Sequence, residues 1–170
     1  MKRIVLTGPE STGKTTLANY LSTFLGVPIV TEYARTFFEG RAPAYTFSEV
    51  EFIASQQYQT EQRELARWGS IVCDTDLTVI KVWMEVRYGN CPQWIDAALR
   101  NSDDAFYLLC KPDIVWQPDP LRENPTDRDA LFKMYEELLQ SFGLPYSVVA
   151  GVGEARRACA LELLAKRGIQ

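Results

Sequence analysis

The most informative segment for the fold is a glycine-rich octapeptide near the N-terminus. Residues 8–15 read Gly-Pro-Glu-Ser-Thr-Gly-Lys-Thr and match the pattern G-x-x-x-x-G-K-[S/T] at every fixed position. A short apolar run, residues 4–6, precedes the match, and an amphipathic stretch over about residues 14–25 follows it. A strand that leads into such a loop, and a helix that starts from it, form a phosphate-binding unit. The sequence therefore predicts a nucleotide site between the first strand and the first helix.

The residue types in this loop suit contact with phosphate oxygens. Glycines let the backbone approach closely, and the amides at a helix N-terminus supply partial positive charge. We expect Lys14 to reach the β- and γ-phosphates of ATP, and the Thr15 hydroxyl to ligate Mg²⁺. The predicted nucleotide-binding residues of the loop are Gly8, Glu10, Ser11, Thr12, Gly13, Lys14, Thr15 and Thr16. The alternative is a glycine-rich turn that binds nothing.

The rest of the chain alternates short apolar runs with amphipathic stretches, which predicts an α/β fold with a parallel sheet. Strands are expected near residues 4–6, 28–31, 70–73, 105–110 and 146–149, with helices between them. A long helix should begin at Thr46, because Thr46 and Glu49 have the spacing of a capping box. The length of 170 residues predicts one domain, residues 1–170.

Composition excludes several classes of site. The chain has no histidine, which rules out histidine-based acid–base catalysis, Ser-His triads and histidine metal sites. A formal net charge of −4 argues against binding along a nucleic-acid backbone. None of the four cysteines pairs in a CxxC motif. No apolar run approaches the ~18 residues of a membrane span, and the first apolar run, residues 4–6, is too short for the apolar region of a signal peptide. We therefore expect a cytoplasmic protein that binds neither nucleic acid nor membrane.

Acidic residues follow two of the predicted strands, at the sheet edge where ligands of open parallel sheets bind. Asp74 and Asp76 follow the third strand. Asp74 is suited to hold the Mg²⁺ shell, whereas Asp76 either contacts the site or only caps the next helix. Glu32 follows the second strand and either accepts a proton from an attacking hydroxyl, holds a sugar, or forms an ion pair with Arg35.

A proline-rich, charged segment, residues 111–127, lies between the fourth strand and the next helix, and its length predicts a functional loop. We expect residues 113–128 to form a lid that excludes water from the site. Arg122 would then contact the nucleotide and stabilise the phosphate in transfer. Arg128 is expected to contribute less, as a first-turn residue of the next helix, and Trp116 is expected to anchor the base of the loop. The alternative is a solvated charged loop.

Four segments, taken in this order, resemble the ribosylnicotinamide kinase domain of NadR-type NAD-biosynthesis proteins: residues 8–15, 32–35, 74–76 and 116–122. The similarity covers most of the chain. It implies an adenylate-kinase-like, three-layer P-loop fold with strand order 2-3-1-4-5 and a lid. It also implies that ATP, with Mg²⁺, phosphorylates the 5′-hydroxyl of a nucleoside, ribosylnicotinamide first, which gives nicotinamide mononucleotide.

The resemblance also implies roles for individual residues. Those expected to be catalytic are Lys14, Glu32, Asp74 and Arg122. Those expected to bind substrate are Glu32, Tyr33, Arg35, Tyr58 and Asp76. Tyr58 matches an aromatic that faces the nicotinamide ring in the family, whereas Thr31 stands where the family has another aromatic. The family's adenylyltransferase and DNA-binding domains have no counterpart, so a stand-alone kinase is expected.

Other functions stay open from the sequence. A deoxynucleoside kinase is one, and a nucleoside-monophosphate kinase is another; the latter would need a basic acceptor cluster, for which Arg35, Arg41 and Lys81 are candidates. A P-loop switch ATPase would hydrolyse ATP slowly without an acceptor. A GTPase is disfavoured because the motif N-K-x-D is absent. Residues 151–153, Gly-Val-Gly, form either a backbone edge for adenine or a simple turn.

Overall fold

Strands and helices alternate along the chain. The structure, a computed structural model, describes residues 2–41, 44–118 and 126–169. In chain order the elements are β1 (Arg3–Thr7), α1 (Lys14–Leu25), β2 (Ile29–Val30), α2 (Tyr33–Phe38), α3 (Phe47–Trp68), β3 (Ile71–Asp74), α4 (Leu77–Tyr88), α5 (Gln93–Arg100), β4 (Ala105–Cys110), α6 (Arg128–Ser141), β5 (Tyr146–Val149) and α7 (Glu154–Ala165). Among the described residues, no helix combines the length and apolarity that crossing a membrane requires.

The sheet has the order β2-β3-β1-β4-β5, and every pairing in it is parallel. This confirms the predicted α/β fold, its five parallel strands and their order. Strand β1 is central, with Leu6 in register with Asp74 on β3 and with Leu108 on β4. The loop after β1 therefore leaves the middle of the carboxyl edge, where open parallel sheets bind their ligands.

Helices cover both faces of the sheet, which gives three layers. On one face Ile4 and Leu6 of β1 pack with Leu17 and Leu21 of α1 and with Leu164 of α7. On the other face Val5, which lies between Ile4 and Leu6 on β1, belongs to a core that also includes residues of α3, α4, α5 and α6. Because both faces are buried, the central strands are continuous apolar runs rather than alternating ones, and this is why the sequence predicts them well.

Helix α3 begins where the sequence predicts. The Glu49 backbone N–H donates to the Thr46 hydroxyl at 3.3 Å, and the Thr46 backbone N–H donates to Glu49 Oε2 at 2.9 Å, which completes the capping box. Helix α2 was not predicted, since six residues are too few to show a helical period. Strand β2 is also shorter than expected, with two residues in place of residues 28–31.

Candidate active site

A cavity of about 610 Å³ opens at the carboxyl edge of the sheet, beside the glycine-rich loop. All eight loop residues predicted to bind nucleotide line it, and so do two predicted substrate residues, Glu32 and Arg35. The far end is lined mainly by apolar and aromatic side chains, together with one arginine: Tyr45, Val79, Val82, Trp83, Val86, Arg87, Leu131 and Tyr135. The cavity therefore joins a phosphate-binding loop to a largely apolar chamber.

Two glycines give the loop its shape. Gly8 has φ 120°, and a Cβ there would lie 2.9 Å from the carbonyl oxygen of Cys110, so only glycine lets the loop pass the end of β4. Gly13 has φ 76° and caps the N-terminus of α1 in the left-handed conformation. The Thr12 hydroxyl donates to the Pro9 carbonyl oxygen at 2.9 Å across the loop. The loop is therefore fixed before any ligand arrives.

Lys14 is turned back into this loop. Its Nζ donates to the carbonyl oxygen of Gly8 at 2.8 Å and to that of Pro9 at 2.7 Å. Burial lowers the pKa of Lys14, an effect that the nearby carboxylates of Glu32 and Asp74 oppose. The ammonium thus lies where phosphate oxygens on the loop would compete with backbone carbonyls for it.

Asp74, at the end of β3, is 1% exposed. Burial raises the pKa of its carboxyl group, while a hydrogen bond from the Thr15 hydroxyl and the charge of Lys14 lower it. Its Oδ1 is buried and has no hydrogen-bond partner among the described residues. A buried carboxylate oxygen of this kind is costly unless something pairs with it.

The buried Asp74 Oδ1 and the hydroxyl oxygen of Thr15 are suitable ligands for Mg²⁺. The ion is usually held by one or two carboxylates, by waters and by the phosphates of its substrate, rather than by an all-protein cage. The described residues contain no group of three or more His, Cys, Asp or Glu side chains that could enclose a metal. Asp74 Oδ1 and the Thr15 hydroxyl are therefore suited to a cation that arrives with a nucleotide.

Glu32 precedes α2 and occupies its N-cap position with φ −62° and ψ 109°. Burial raises the pKa of Glu32; the charge of Lys14 opposes this, and the charge of Asp74 adds to it. Its Oε2 accepts from Arg35 Nε at 3.0 Å. Glu32 therefore forms the ion pair that the sequence left open and also lines the cavity, beside the lysine of the loop.

Three predicted substrate residues are not among the described residues that line the cavity: Tyr33, Tyr58 and Asp76. Asp76 is 1% exposed and caps α4, because its Oδ1 accepts from the Thr78 backbone N–H at 2.9 Å. Its Oδ2 accepts from the Tyr107 hydroxyl at 2.9 Å. Capping thus explains Asp76, and the geometry does not support the expected contact with substrate.

The two tyrosines pack against other aromatic rings. The ring of Tyr58, on α3, lies 6.2 Å from that of Trp94 on α5, and it contacts the core beneath these helices. The ring of Tyr33 lies edge-on to Phe52 at 6.3 Å. Tyr58 therefore packs between α3 and α5 and is not among the described residues that line the cavity.

The aromatic wall of the cavity comes instead from Tyr45 and Trp83, which sequence analysis missed. Trp83 Nε1 donates to the Tyr45 hydroxyl at 2.9 Å, and the two rings meet edge to face at 4.9 Å. One signal was available: Val79, Trp83 and Val86 share one face of α4 by helical spacing. That helix starts directly after Asp76, so its exposed apolar stripe had to lie near the site.

The first part of the expected lid lies against the phosphate loop. Trp116 Nε1 donates to Glu10 Oε1 at 3.1 Å, and the Gln117 backbone N–H donates to the Ser11 hydroxyl at 3.0 Å. Arg128, the first residue of α6, donates to the carbonyl oxygens of Ser11 at 3.2 Å and Ile114 at 2.8 Å. Arg128 thus joins loop and segment. Arg122, with residues 119–125, lies outside the described residues.

A second, smaller cavity of about 280 Å³ adjoins the same loop and shares Ser11, Gly13 and Thr16 with the first. It is lined by Ser11, Gly13, Thr16, Leu17, Ile114, Val115, Gln117, Gly153, Arg156 and Arg157. The backbone of Gly151 is already engaged: its N–H donates to Asp113 at 2.7 Å, and its oxygen accepts from Arg156 Nε at 2.7 Å. Of the glycines expected to edge adenine, Gly153 is the one on the cavity wall.

Comparisons with known proteins agree with this geometry. A protein family described as "AAA domain" matches residues 3–156. A NadR protein in complex with NR has a similar structure, with a TM-score of 0.75 and 21% identity over 99% of this chain and 52% of that one. This chain thus spans about half of that protein.

Two smaller enzymes also share the fold. Deoxyadenosine kinase from M. mycoides matches with a TM-score of 0.59 and 16% identity, over 98% of this chain and 100% of that one. Thymidylate kinase from Ehrlichia chaffeensis matches with a TM-score of 0.60 and 15% identity, over 98% of each chain. No curated protein matches the sequence significantly. At these identities the likeness establishes the fold, which is that of P-loop kinases.

Proposed function

The chain belongs to the AAA domain family, and we propose that it is an ATP-dependent kinase that phosphorylates a nucleoside hydroxyl. One observation carries the proposal. The cavity that holds Lys14 and Thr15 continues past Glu32 into a chamber walled by Tyr45 and Trp83. A switch ATPase needs a place for ATP, a cation and water, but a chamber lined with aromatic and apolar groups suits an organic acceptor.

The phosphates of ATP would lie on the glycine-rich loop, where Lys14 and the amides at the start of α1 bind them. Asp74 and Thr15 would hold Mg²⁺. Bound there, the ion neutralises charge on the β- and γ-phosphates. The second cavity suits the base of the nucleotide, since Leu17 and Val115 offer apolar surface and Gly153 has open space where a side chain would stand. We propose Arg122 as the lid residue that stabilises the phosphate in transfer.

Glu32 would act as the base. Its carboxylate accepts the proton of the acceptor hydroxyl as the oxygen forms its bond to the γ-phosphorus and the bond to the bridging oxygen of ADP breaks. Because burial raises the pKa of Glu32, the group is a stronger base than an exposed glutamate. Arg35, which donates to Glu32 at 3.0 Å, holds the carboxylate in place.

An acceptor without a phosphate fits the charges of the site. Arg41 pairs with Glu49 at 3.3 Å and lies over the Phe37 ring. Lys81 pairs with Glu85 and Asp96, each at 2.7 Å. Neither is among the described residues that line the cavity. Of the three basic residues considered for a monophosphate acceptor, only Arg35 reaches the cavity, where it pairs with Glu32. The wall has one more arginine, Arg87, which lies over the Tyr45 ring. Because both arginines already have partners, the site favours a nucleoside.

We propose ribosylnicotinamide as the acceptor. A cationic ring against an aromatic face is worth about 0.5–2 kcal/mol, and the Tyr45–Trp83 wall offers such faces. The similarity to NadR in complex with NR supports this choice. One observation favours a second candidate, a deoxynucleoside kinase: the Arg87 guanidinium lies 5.7 Å from the Tyr45 ring, and a cation at that wall suits a neutral base.

A panel of acceptors tests the proposal. ADP release is measured with ATP, Mg²⁺ and, in separate reactions, ribosylnicotinamide, deoxyadenosine, thymidine, thymidine monophosphate or no acceptor. We expect ribosylnicotinamide to give the highest kcat/KM, with K14A as the inactive control. A higher kcat/KM for deoxyadenosine or thymidine would establish the second candidate. Equal rates with and without every acceptor would contradict the kinase itself.

A further inference from the structure

A buried path of hydrogen bonds runs beneath α2 and ends at the residue after Glu32. The Tyr33 backbone N–H donates to Gln57 Oε1 at 2.9 Å, and Gln57 Nε2 donates to Glu61 Oε1 at 2.9 Å. Glu61 Oε2 then accepts from Arg3 at 2.8 Å. Arg3 also donates to Ser102 and Asp104, which lie just before β4. The path thus links the edge of the sheet to the N-terminus of α2.

Every polar atom of the Gln57 side chain is committed. Gln57 is 2% exposed, so water does not compete for its amide. Because the Tyr33 backbone N–H only donates, the Oε1 of Gln57 must face it, and the Nε2 must therefore face Glu61. Glu61 is fully buried; burial raises the pKa of its carboxyl group, and the guanidinium of Arg3, 2.8 Å away, opposes this. The direction of the Gln57 amide is consequently set by the backbone of α2.

This contact supplies a partner for the start of α2. The first N–H groups of a helix have no partner within it, and Gln57, on α3, accepts from the N–H of Tyr33, the first residue of α2. The N-cap side chain, Glu32, makes no capping hydrogen bond. Glu32 instead lines the cavity, and its Oε2 accepts from Arg35 Nε at 3.0 Å. Gln57 thus fixes the backbone next to Glu32, while Arg35 holds the carboxylate.

We propose that Gln57 is a positioning residue: by fixing the backbone at Tyr33, it aims the Glu32 carboxylate at the acceptor hydroxyl. The inference rests on the proposed kinase function and deepens it. Gln57 touches neither cavity wall nor loop among the described contacts. Its effect is therefore expected on the transfer step and not on ATP binding. A displacement of about 1 Å at a reacting group can cost about 10²-fold in rate.

Three variants test this role. Gln57→Met keeps the length of the side chain and removes the acceptor for Tyr33. The double variant Gln57→Glu/Glu61→Gln keeps an acceptor oxygen for Tyr33 and moves the amide donor to position 61, so the hydrogen bond between the two side chains is retained. Gln59→Met is the matched control, because Gln59 lies two residues further on the same helix, is exposed and bonds only Ser55 among the described contacts, at 3.0 Å. For each variant, kcat, the KM for ATP, the KM for the acceptor, the thermal midpoint and the number of ATP sites per chain are measured.

We expect Q57M to lower kcat by about 10- to 10²-fold per ATP site, with the KM for ATP unchanged. The double variant Q57E/E61Q should recover part of that loss, and Q59M should match the wild type. A Q57M kcat per ATP site equal to that of Q59M would overturn the inference. So would a loss of ATP sites that accounts for the whole decrease, since Gln57 would then only stabilise the fold. A wild-type chain that phosphorylates no acceptor would instead refute the proposed function.

Discussion

The Nζ of Lys14 donates a hydrogen bond to the carbonyl oxygen of Gly8 at 2.8 Å, so the charge of the loop is held within the loop. Gly8 therefore also accepts a hydrogen bond from Lys14, and this bond must break before Lys14 can bind a phosphate. Phosphate oxygens carry more negative charge than a carbonyl oxygen and form stronger hydrogen bonds with an ammonium. ATP is expected to win this competition.

Replacing Lys14 should separate catalysis from stability. Lys14→Ala is expected to reduce kcat by about 10³-fold or more, because a positioned cation on the transferring phosphate is lost. The two hydrogen bonds that it removes are made to loop carbonyls, and burial of the ammonium offsets part of their contribution, so the thermal midpoint should change little. Turnover and the thermal midpoint are measured together. Normal turnover would contradict the assignment of the phosphate loop.

Asp74 and Asp76 should behave differently although they are two residues apart. Asp74→Asn is expected to lower turnover and to raise the Mg²⁺ concentration needed for half-maximal rate. Asp76→Ala removes the cap of α4 and the partner of Tyr107, so the free energy of unfolding should fall by about 1–3 kcal/mol. Mg²⁺ titrations and chemical denaturation of both variants check this. Identical effects on Mg²⁺ dependence would refute the separate roles.

Glu32 should control the acid limb of the rate. A base works in its ionised form, and burial raises the pKa of Glu32. The kcat/KM should therefore decline as pH falls through a value above that of an ordinary glutamate. Glu32→Gln is expected to lower kcat by roughly 10²–10⁴-fold, to retain ATP binding and to lose this limb. A collapse of ATP affinity in E32Q would place Glu32 in the nucleotide site instead.

Trp83 and Tyr58 provide a matched test of the acceptor wall. Trp83→Leu should raise the KM for the nucleoside by about 10-fold, which corresponds to about 1.4 kcal/mol of lost aromatic contact. Tyr58→Leu should leave that KM unchanged and lower the thermal midpoint, since Tyr58 packs against Trp94. Initial rates at varied nucleoside concentration distinguish the two. A larger KM effect in Y58L would restore Tyr58 as the ring contact.

The parts of the molecule that follow from local sequence were predicted well. The loop around Gly8 and Gly13 requires particular backbone angles, and the strands buried on both faces are written as uninterrupted apolar runs. The capping box of Thr46 and Glu49 marks the start of α3, because the two residues that form it are only three positions apart. Each of these features is decided by neighbours within a few residues, so the chain displays it directly.

What was missed depends on partners far along the chain. Gln57 lies on a helical face with apolar neighbours, and nothing local shows that it receives the N–H of Tyr33. Trp83 and Tyr58 are both aromatic residues on amphipathic helices. Only the tertiary packing decides which of the two lines the cavity. It places Trp83 of α4 at the cavity wall and Tyr58 of α3 against α5. The family resemblance pointed to Tyr58, and the fold placed the aromatic wall on a different helix.

The fate of the γ-phosphate of ATP distinguishes a nucleoside kinase from an ATPase. The wild-type chain is incubated with Mg²⁺, ribosylnicotinamide and ATP labelled in the γ-phosphate, and the label is followed by chromatography and mass spectrometry. We expect the label in a nucleoside monophosphate heavier than the acceptor by one phosphate, with little free phosphate formed. If the label appears only in inorganic phosphate, at a rate that no nucleoside changes, the protein is an ATPase and the proposed kinase function is wrong.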